Sequence, residues 1–238
     1  MNTLSQKQVG EIVAEDYRKA QVLRSYGLDF CCGGGRTLEK ACSSKNIDIE
    51  KVIMELEALN EIGKMGDNYN EWSLDFLADY IVNTHHSYVR KMLPEINFYA
   101  EKVARVHGER HPELFDILQN VRVLSEEMSG HMEKEEQELF PQVKNLVQKS
   151  IKGEVKDSII EALEEEHDKA GSLMEKIEEL TNRFTPPQDA CASYRVLFQN
   201  LEGFQQDLHK HVHLENNILF PKALKFEASL NYAQVKKK

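Results

Sequence analysis

Residues 131–141 read HMEKEEQELFP and residues 211–221 read HVHLENNILFP. In each, a histidine stands four residues before a glutamate and ten before the proline of a Leu-Phe-Pro triplet. The first copy supplies His131, Glu135 and Pro141; the second supplies His211, Glu215 and Pro221. Residues four apart on a helix share a face, with Cβ atoms roughly 6 Å apart. An imidazole and a carboxylate so placed can reach one metal ion or two adjacent ones.

The repeat extends upstream. His86 lies 45 residues before His131, and His167 lies 44 before His211. The order His, His-x3-Glu, His, His-x3-Glu is what two helical hairpins folded together would show. Four helices then bring four histidines and two glutamates to one core, a known construction for dinuclear sites in bundles.

The apolar pattern agrees. It predicts long helices over about 74–107, from Pro112 past Val143, over about 156–184, and from about Asp189 past Ile218. The second has the stripe Leu114, Ile117, Val121, Leu124, Met128, Leu139 and Val143, and His131 and Glu135 fall on it. The third has Ile160, Leu163, Ala170, Met174 and Ile177 around His167. The fourth has Tyr194, Leu197, Leu201, Phe204, Leu208 and Ile218 in register with His211 and Glu215. Buried carboxylates are costly unless paired or metal-bound. A lone histidine on a stripe is ordinarily a hydrogen-bonded core residue. Four of them, two with a matching glutamate, point to metal. On the first helix one apolar stripe selects His86 and another selects His85, and periodicity leaves the choice open.

The remaining histidines and acids are expected elsewhere. His209 and His213 lie about 200° around the helix from His211 and are expected in solvent. His107 and His111 are expected at the surface, as are Glu126, Glu127, Glu133, Glu136 and Glu138. Glu164 to Glu166 read as a wet face, with Glu166 a candidate second-layer group. An all-nitrogen-and-oxygen donor set suits iron, manganese or zinc. Carboxylates from pseudo-symmetric positions suggest bridges between two ions, with an open position for a small molecule such as O₂ or NO.

The chain has 238 residues and a net charge of −10. The acidic balance argues against nucleic acid as a partner. No apolar run reaches membrane-spanning length, and MNTLSQKQVGEIVAED lacks the features of a secretory signal. A cytoplasmic protein with reduced thiols is expected. Residues 1–62 read as a small helical module, 63–72 as a Gly- and Asn-bearing linker, and 73–230 as the bundle. In the module, one helix is expected over 5–26, ending at Gly27. Shorter helices follow over 38–44 and about 49–62, capped by Thr37 and Asp48. Between them stands LDFCCGGGRTLEKAC. Its adjacent Cys31 and Cys32 do not suit a mutual disulfide; they are either an inert buried pair or a reactive, metal-contacting dithiol. Cys42 and Cys191 read as packing.

LDFCCGGGRTLEKAC, HHSYVRKMLPEI, SGHMEKEEQELFP, EEEHDKAGSLM, TPPQDAC and HLENNILFP together give the chain a close resemblance to a family. It resembles the bacterial di-iron proteins for repair of iron centres, the iron–sulfur cluster repair proteins. Their hemerythrin-like bundle follows a small Cys-Cys-Gly-Gly domain. The resemblance implies an all-α fold. It implies two irons, oxo- or hydroxo-bridged and carboxylate-bridged, with His86, His131, His167 and His211 as terminal ligands and Glu135 and Glu215 as bridges. His86 is taken from its distance to the shared Leu93-Pro94-Glu95. Oxygen-carrying hemerythrins use a fifth histidine; four favour repair over O₂ carriage. The implied role is restoring clusters damaged by oxidants or nitric oxide, by release of one labile iron. Damaged iron–sulfur proteins would be its partners. Cys31 and Cys32 would dock the client, pass electrons or contact metal. Reduction of NO to N₂O at the same site, or O₂ or NO sensing or storage, are the alternative readings. Homodimerisation is left open.

Overall fold

The computed structural model describes residues 4–61, 68–149 and 155–235. Regular structure among them is helical, apart from one isolated bridge between Gln8 and Thr37. The all-α expectation holds.

The first module has α1 (Val9–Glu15), α2 (Lys19–Ser25), a 3₁₀ turn (Cys32–Gly35), α3 (Leu38–Ser44) and α4 (Ile49–Glu61). The single helix expected over 5–26 is therefore two. Asp16 breaks it: its backbone is extended. Its carboxylate accepts from the Arg18 backbone N–H at 3.1 Å and from the Arg18 guanidinium at 2.6 Å. Such local bonds compete with the helix ladder. Gly27 takes a positive φ of 65° just past α2, as a helix stop requires. Thr37 caps α3 through Oγ1, which accepts from Lys40 N–H at 3.3 Å. Asp48 accepts from Glu50 N–H at 3.2 Å at the start of α4.

Part of the expected linker, residues 63–67, lies outside the described residues. The rest is fastened down. Tyr69–Glu71 form a 3₁₀ turn, and Tyr69 is buried against Trp72. Asn70 donates to Ala14 O at 2.7 Å, and Lys222 donates to Trp72 O at 2.6 Å.

The bundle has four rods. The first is α5 (Leu74–Ile81), a π turn (Val82–His86) and α6 (Ser87–His107), which carries Pro94 in its interior. The second is α7 (Glu113–Lys134), a π turn (Glu135–Leu139) and α8 (Phe140–Lys149). The third is α9 (Asp157–Leu180). The fourth is α10 (Ala192–Leu214), a π turn (Glu215–Leu219) and α11 (Phe220–Val235). α9 stops four residues before the expected end at 184. Asn182, Arg183 and Phe184 all have φ near +50°, and Thr181 Oγ1 accepts from Phe184 N–H at 3.1 Å. α10 begins at Ala192 rather than Asp189, after a turn in which Ala190 N–H donates to Pro187 O at 3.1 Å.

α6 packs against α7 and α10, and α7 against α9. Contact between α9 and α10 is sparser, and the Cys32–Gly35 turn of the first module wedges against both. The module packs on the bundle: Phe30 and Cys31 share one apolar cluster with Ala170, Leu208 and Val212. A second cluster holds the other end, with Leu77, Ile81, Leu139, Leu163, Leu214 and Ile218. On α9 the first cluster resumes at Ala170 and the second ends at Leu163. His167 stands between, and His131, Glu135, His211 and Glu215 occupy the same gap on their rods.

Candidate metal centre

In that layer all six predicted ligands are brought together, each 2 % exposed or less. His86 closes one π turn, and Glu135 and Glu215 open the other two. Such turns are rare and recur at functional sites. Their positions here leave His167 as the one predicted ligand on an uninterrupted helix.

The geometry defines two overlapping groups. His86, Glu135, His211 and Glu215 form one; His131, Glu135, His167 and Glu215 form the other. Both glutamates belong to both. His86 Nε2 and His211 Nε2 are 3.1 Å apart, and His131 Nε2 and His167 Nε2 are 2.9 Å apart. Two nitrogens about 2.1 Å from one ion and at right angles would stand about 3.0 Å apart. Glu215 splits its oxygens between the groups: Oε1 is 2.9 Å from His211 Nε2, and Oε2 is 3.2 Å from His167 Nε2. Glu135 turns one oxygen to both: Oε2 is 3.2 Å from His86 Nε2 and 3.3 Å from His131 Nε2. Those contacts lack hydrogen-bond geometry, and both Glu135 oxygens are buried without a donor among the described residues. Lone pairs converging with too few protons between them fit cations at the two positions.

Three of the rings are held from behind. His86 Nδ1 is 2.6 Å from Glu136 Oε1, which also accepts from Arg90 at 2.7 Å. His131 Nδ1 is 3.0 Å from Glu166 Oε2, whose other oxygen accepts from Lys134. His167 Nδ1 is 2.8 Å from Asn216 Oδ1. An acceptor at Nδ1 holds a proton on that nitrogen and makes Nε2 the nitrogen that would meet a metal. The second-layer reading of Glu166 fits this contact. Glu136, expected at the surface, is corrected to the same role, and Asn216 escaped sequence reasoning. A signal existed. Each acceptor is the chain neighbour of a predicted ligand, about 100° around its helix, and so faces a ring on the adjacent rod.

Burial and charge act in opposition here. Burial disfavours charge on His86, but the Glu135 and Glu215 carboxylates near its Nε2 outweigh it and raise the pKa to about 10. His131 is opposed by burial and raised to about 9 by Glu135, Glu215 and Glu166. Burial holds His211 below its ordinary value. Glu215 is driven well down: burial opposes this, and His211, His167 and His86 overcome it.

The structure places His86, not His85, in the centre. His85 is also buried; its Nδ1 is 2.9 Å from Asp207 Oδ1. His209 and His213 point away from the centre as expected but are not in solvent. His213 is wholly buried, with Phe30 and Tyr17 rings each 5.8 Å from its own, and Phe30 stands 6.0 Å from His209. The first module covers that face. His107 and His111 are half-buried. His107 lies 3.2 Å from Cys191 Sγ, and His111 lies 3.1 Å from Asp189. Cys191, expected to pack, is exposed, whereas Cys42 is buried.

Residues 77–223 match the hemerythrin HHE cation binding domain, and residues 5–60 match a domain of unknown function (DUF542). The iron–sulfur cluster repair protein YtfE of Yersinia pestis (strain Pestoides F) is 37% identical over 210 residues, covering 88% of this chain and 93% of that one. The protein of the same name from Yersinia pseudotuberculosis serotype IB is 37% identical over 87% of this chain and 91% of its own. This chain belongs to the iron–sulfur cluster repair family.

The family's cation-binding bundle is here a metal-binding centre, and the Cys-Cys-Gly-Gly loop sits against it. Asn217, two residues past Glu215, donates to Cys31 O at 3.0 Å and Phe30 O at 3.3 Å. Gly10 and Gly34 admit it: a Cβ on either would lie 2.0 or 2.2 Å from Asn217 Oδ1. Cys31 is buried with Sγ 3.1 Å from Asp29 Oδ1, and Cys32 is half-buried. Its hydrogen bond with Cys32, then burial, push the Cys31 thiol well up, so it stays protonated at neutral pH. Asp29, Cys31 and Cys32 converge closely enough to share an ion. Both thiols line a cleft of about 630 Å³ that also reaches Asn216, the partner of His167. Among the described residues no helix is long and apolar enough to cross a membrane.

Proposed function

We propose that this protein repairs iron–sulfur clusters damaged by oxidative or nitrosative stress, by donating iron from a carboxylate-bridged di-iron centre. The observation that carries the reading is the pair of overlapping ligand groups sharing Glu135 and Glu215. Two ions so bridged hold each other through ligands neither owns, which suits a store that gives up one ion and keeps the other. His86, His131, His167 and His211 are the terminal ligands, and Glu135 and Glu215 the bridges. When bound, iron supplies redox and Lewis-acid chemistry and is itself the cargo. The relatives carry cluster repair in their names, and the donor set suits iron. The four free thiols suit the reducing cytoplasm. Cys31 and Cys32, which line a cleft together with Asn216, are the groups a client or departing ion would meet.

The test is anaerobic metal analysis with Mössbauer spectra before and after adding an apo-cluster acceptor. Two irons per chain in a coupled pair, one of which moves to the acceptor, is the expected result. Two irons that stay in place while NO is turned over to N₂O would move the protein to the reductase class. Two zincs, or no metal, would overturn the reading.

A further inference from the structure

The four histidines of the centre are not held alike. His86, His131 and His167 each present Nδ1 to an acceptor, from Glu136, Glu166 and Asn216. His211 Nδ1 is buried with no partner among the described residues. What lies against that ring is another ring. His85 is parallel to it, with 9° between planes and 5.6 Å between centroids. His85 is itself 1% exposed, is fixed by Asp207 Oδ1 at 2.9 Å from its Nδ1, and meets Tyr80 edge-on at 5.7 Å. Asp207 precedes His211 by four residues on α10, so His85 is tied to the helix whose ligand it covers.

We propose that His85 and Asp207 are positioning residues for His211, and that the ion between His86 and His211 is the one surrendered first. This rests on the two-ion donor reading above. An acceptor at Nδ1 does two things: it orients the ring and makes Nε2 a stronger donor. Such outer partners are worth about 10–100-fold in metal affinity. A ring stacked in parallel does only the first, because it accepts no hydrogen bond from Nδ1. The His131–His167 position has both acceptors, and the His86–His211 position has one. The two sites of a near-symmetric repeat therefore differ in hold. His85 keeps the weaker one aligned without tightening it.

The protein is first loaded anaerobically with ferrous iron, and release to a bipyridyl-type chelator is followed by stopped flow. Two phases of equal amplitude are expected, separated by about 10-fold or more. His85→Ala speeds the fast phase by about 10-fold and leaves the slow one. His85→Phe, which keeps a flat ring, restores the fast phase to within about 2-fold of wild type, whereas Asp207→Leu falls between. If His85→Ala loses its helical circular dichroism, the Phe and Leu variants decide. The location of the loss is read by ¹⁵N-histidine NMR on zinc-loaded protein stripped to one ion per chain. The Nε2 signals of His86 and His211 return to unbound values while those of His131 and His167 stay bound. Release in a single phase, an effect of His85→Ala on the slow phase alone, or loss from His131 and His167 would overturn the assignment and leave the donor reading intact. Saturation below two irons per chain would overturn both.

Discussion

The two His-x3-Glu copies begin from one pattern and end as different halves of one centre. Each opens a π turn at its glutamate. Beyond that they diverge. Glu215 spreads two oxygens over the two ligand groups, while Glu135 offers Oε2 to both and leaves Oε1 without a hydrogen-bond partner among the described residues. The residue after Glu135 is a charged acceptor anchored by Arg90; the residue after Glu215 is a neutral Asn. The second copy lies under the first module through Asn217, and the first does not. A repeat can build a pair of sites, and the surroundings then give them different work.

The largest test of that contrast removes each bridge in turn. Glu215→Leu lowers bound metal from two ions to one or none, because it takes an oxygen from each group. Glu135→Leu lowers it less, since its two contacts come from one oxygen. Metal content by plasma emission, with circular dichroism as a folding control, checks the order. Equal losses would mean that the oxygens rearrange on binding and the two copies are equivalent.

The next effect is in protons. His86 at about 10 and His131 at about 9 both face Glu135. At pH 7.5 each carries a proton that a metal must displace, so loading releases about two protons per chain. Each ion displaces one of these protons, so the apparent affinity per ion rises by about 10-fold per pH unit up to about pH 9. The sign for the metal-free fold is opposite. A pKa raised on folding stabilises fully below the unfolded value of about 6.5. That contribution falls progressively as pH rises above about 6.5 and is gone once the folded values of about 9 and about 10 are passed. Melting of metal-free protein should drop across that window, and melting of the loaded protein should not. Proton release is read by calorimetry in buffers of different ionisation heat.

The buried His and Glu cluster was legible because each member lies in register with apolar neighbours such as Met128 and Leu139, or Leu163 and Ala170. Periodicity reports which face is inward. It does not report what covers the outward face. His213 sits about 200° from His211 and reads as solvated, yet Phe30 and Tyr17 from a distant segment bury it. Periodicity does not separate His86 from His85, for both lie on plausible stripes and both are buried; the family likeness does. The π turns are silent in the sequence: a four-residue spacing reads as regular helix whether or not a wider turn follows. Asp16 breaks a helix that apolar spacing alone continues, because its carboxylate satisfies Arg18 instead.

The smallest effect concerns the contact that separates the copies. Asn217 enters the first module between Gly10 and Gly34, where a Cβ on Gly34 would come within 2.2 Å of its Oδ1. Gly34→Ala should destabilise the protein by about 1–3 kcal/mol, the usual penalty of overpacking. The clash is with a side-chain end, so the cost can be relieved. Asn217→Ala alone loses the bonds to Cys31 O and Phe30 O, at about 1 kcal/mol. Combined with Gly34→Ala it should cost less than the sum, with a coupling of about 1 kcal/mol in a denaturant double-mutant cycle. Additive costs would show that the module holds its place without Asn217. The asymmetry of the copies would then arise inside the bundle, from Glu136 and Asn216 alone.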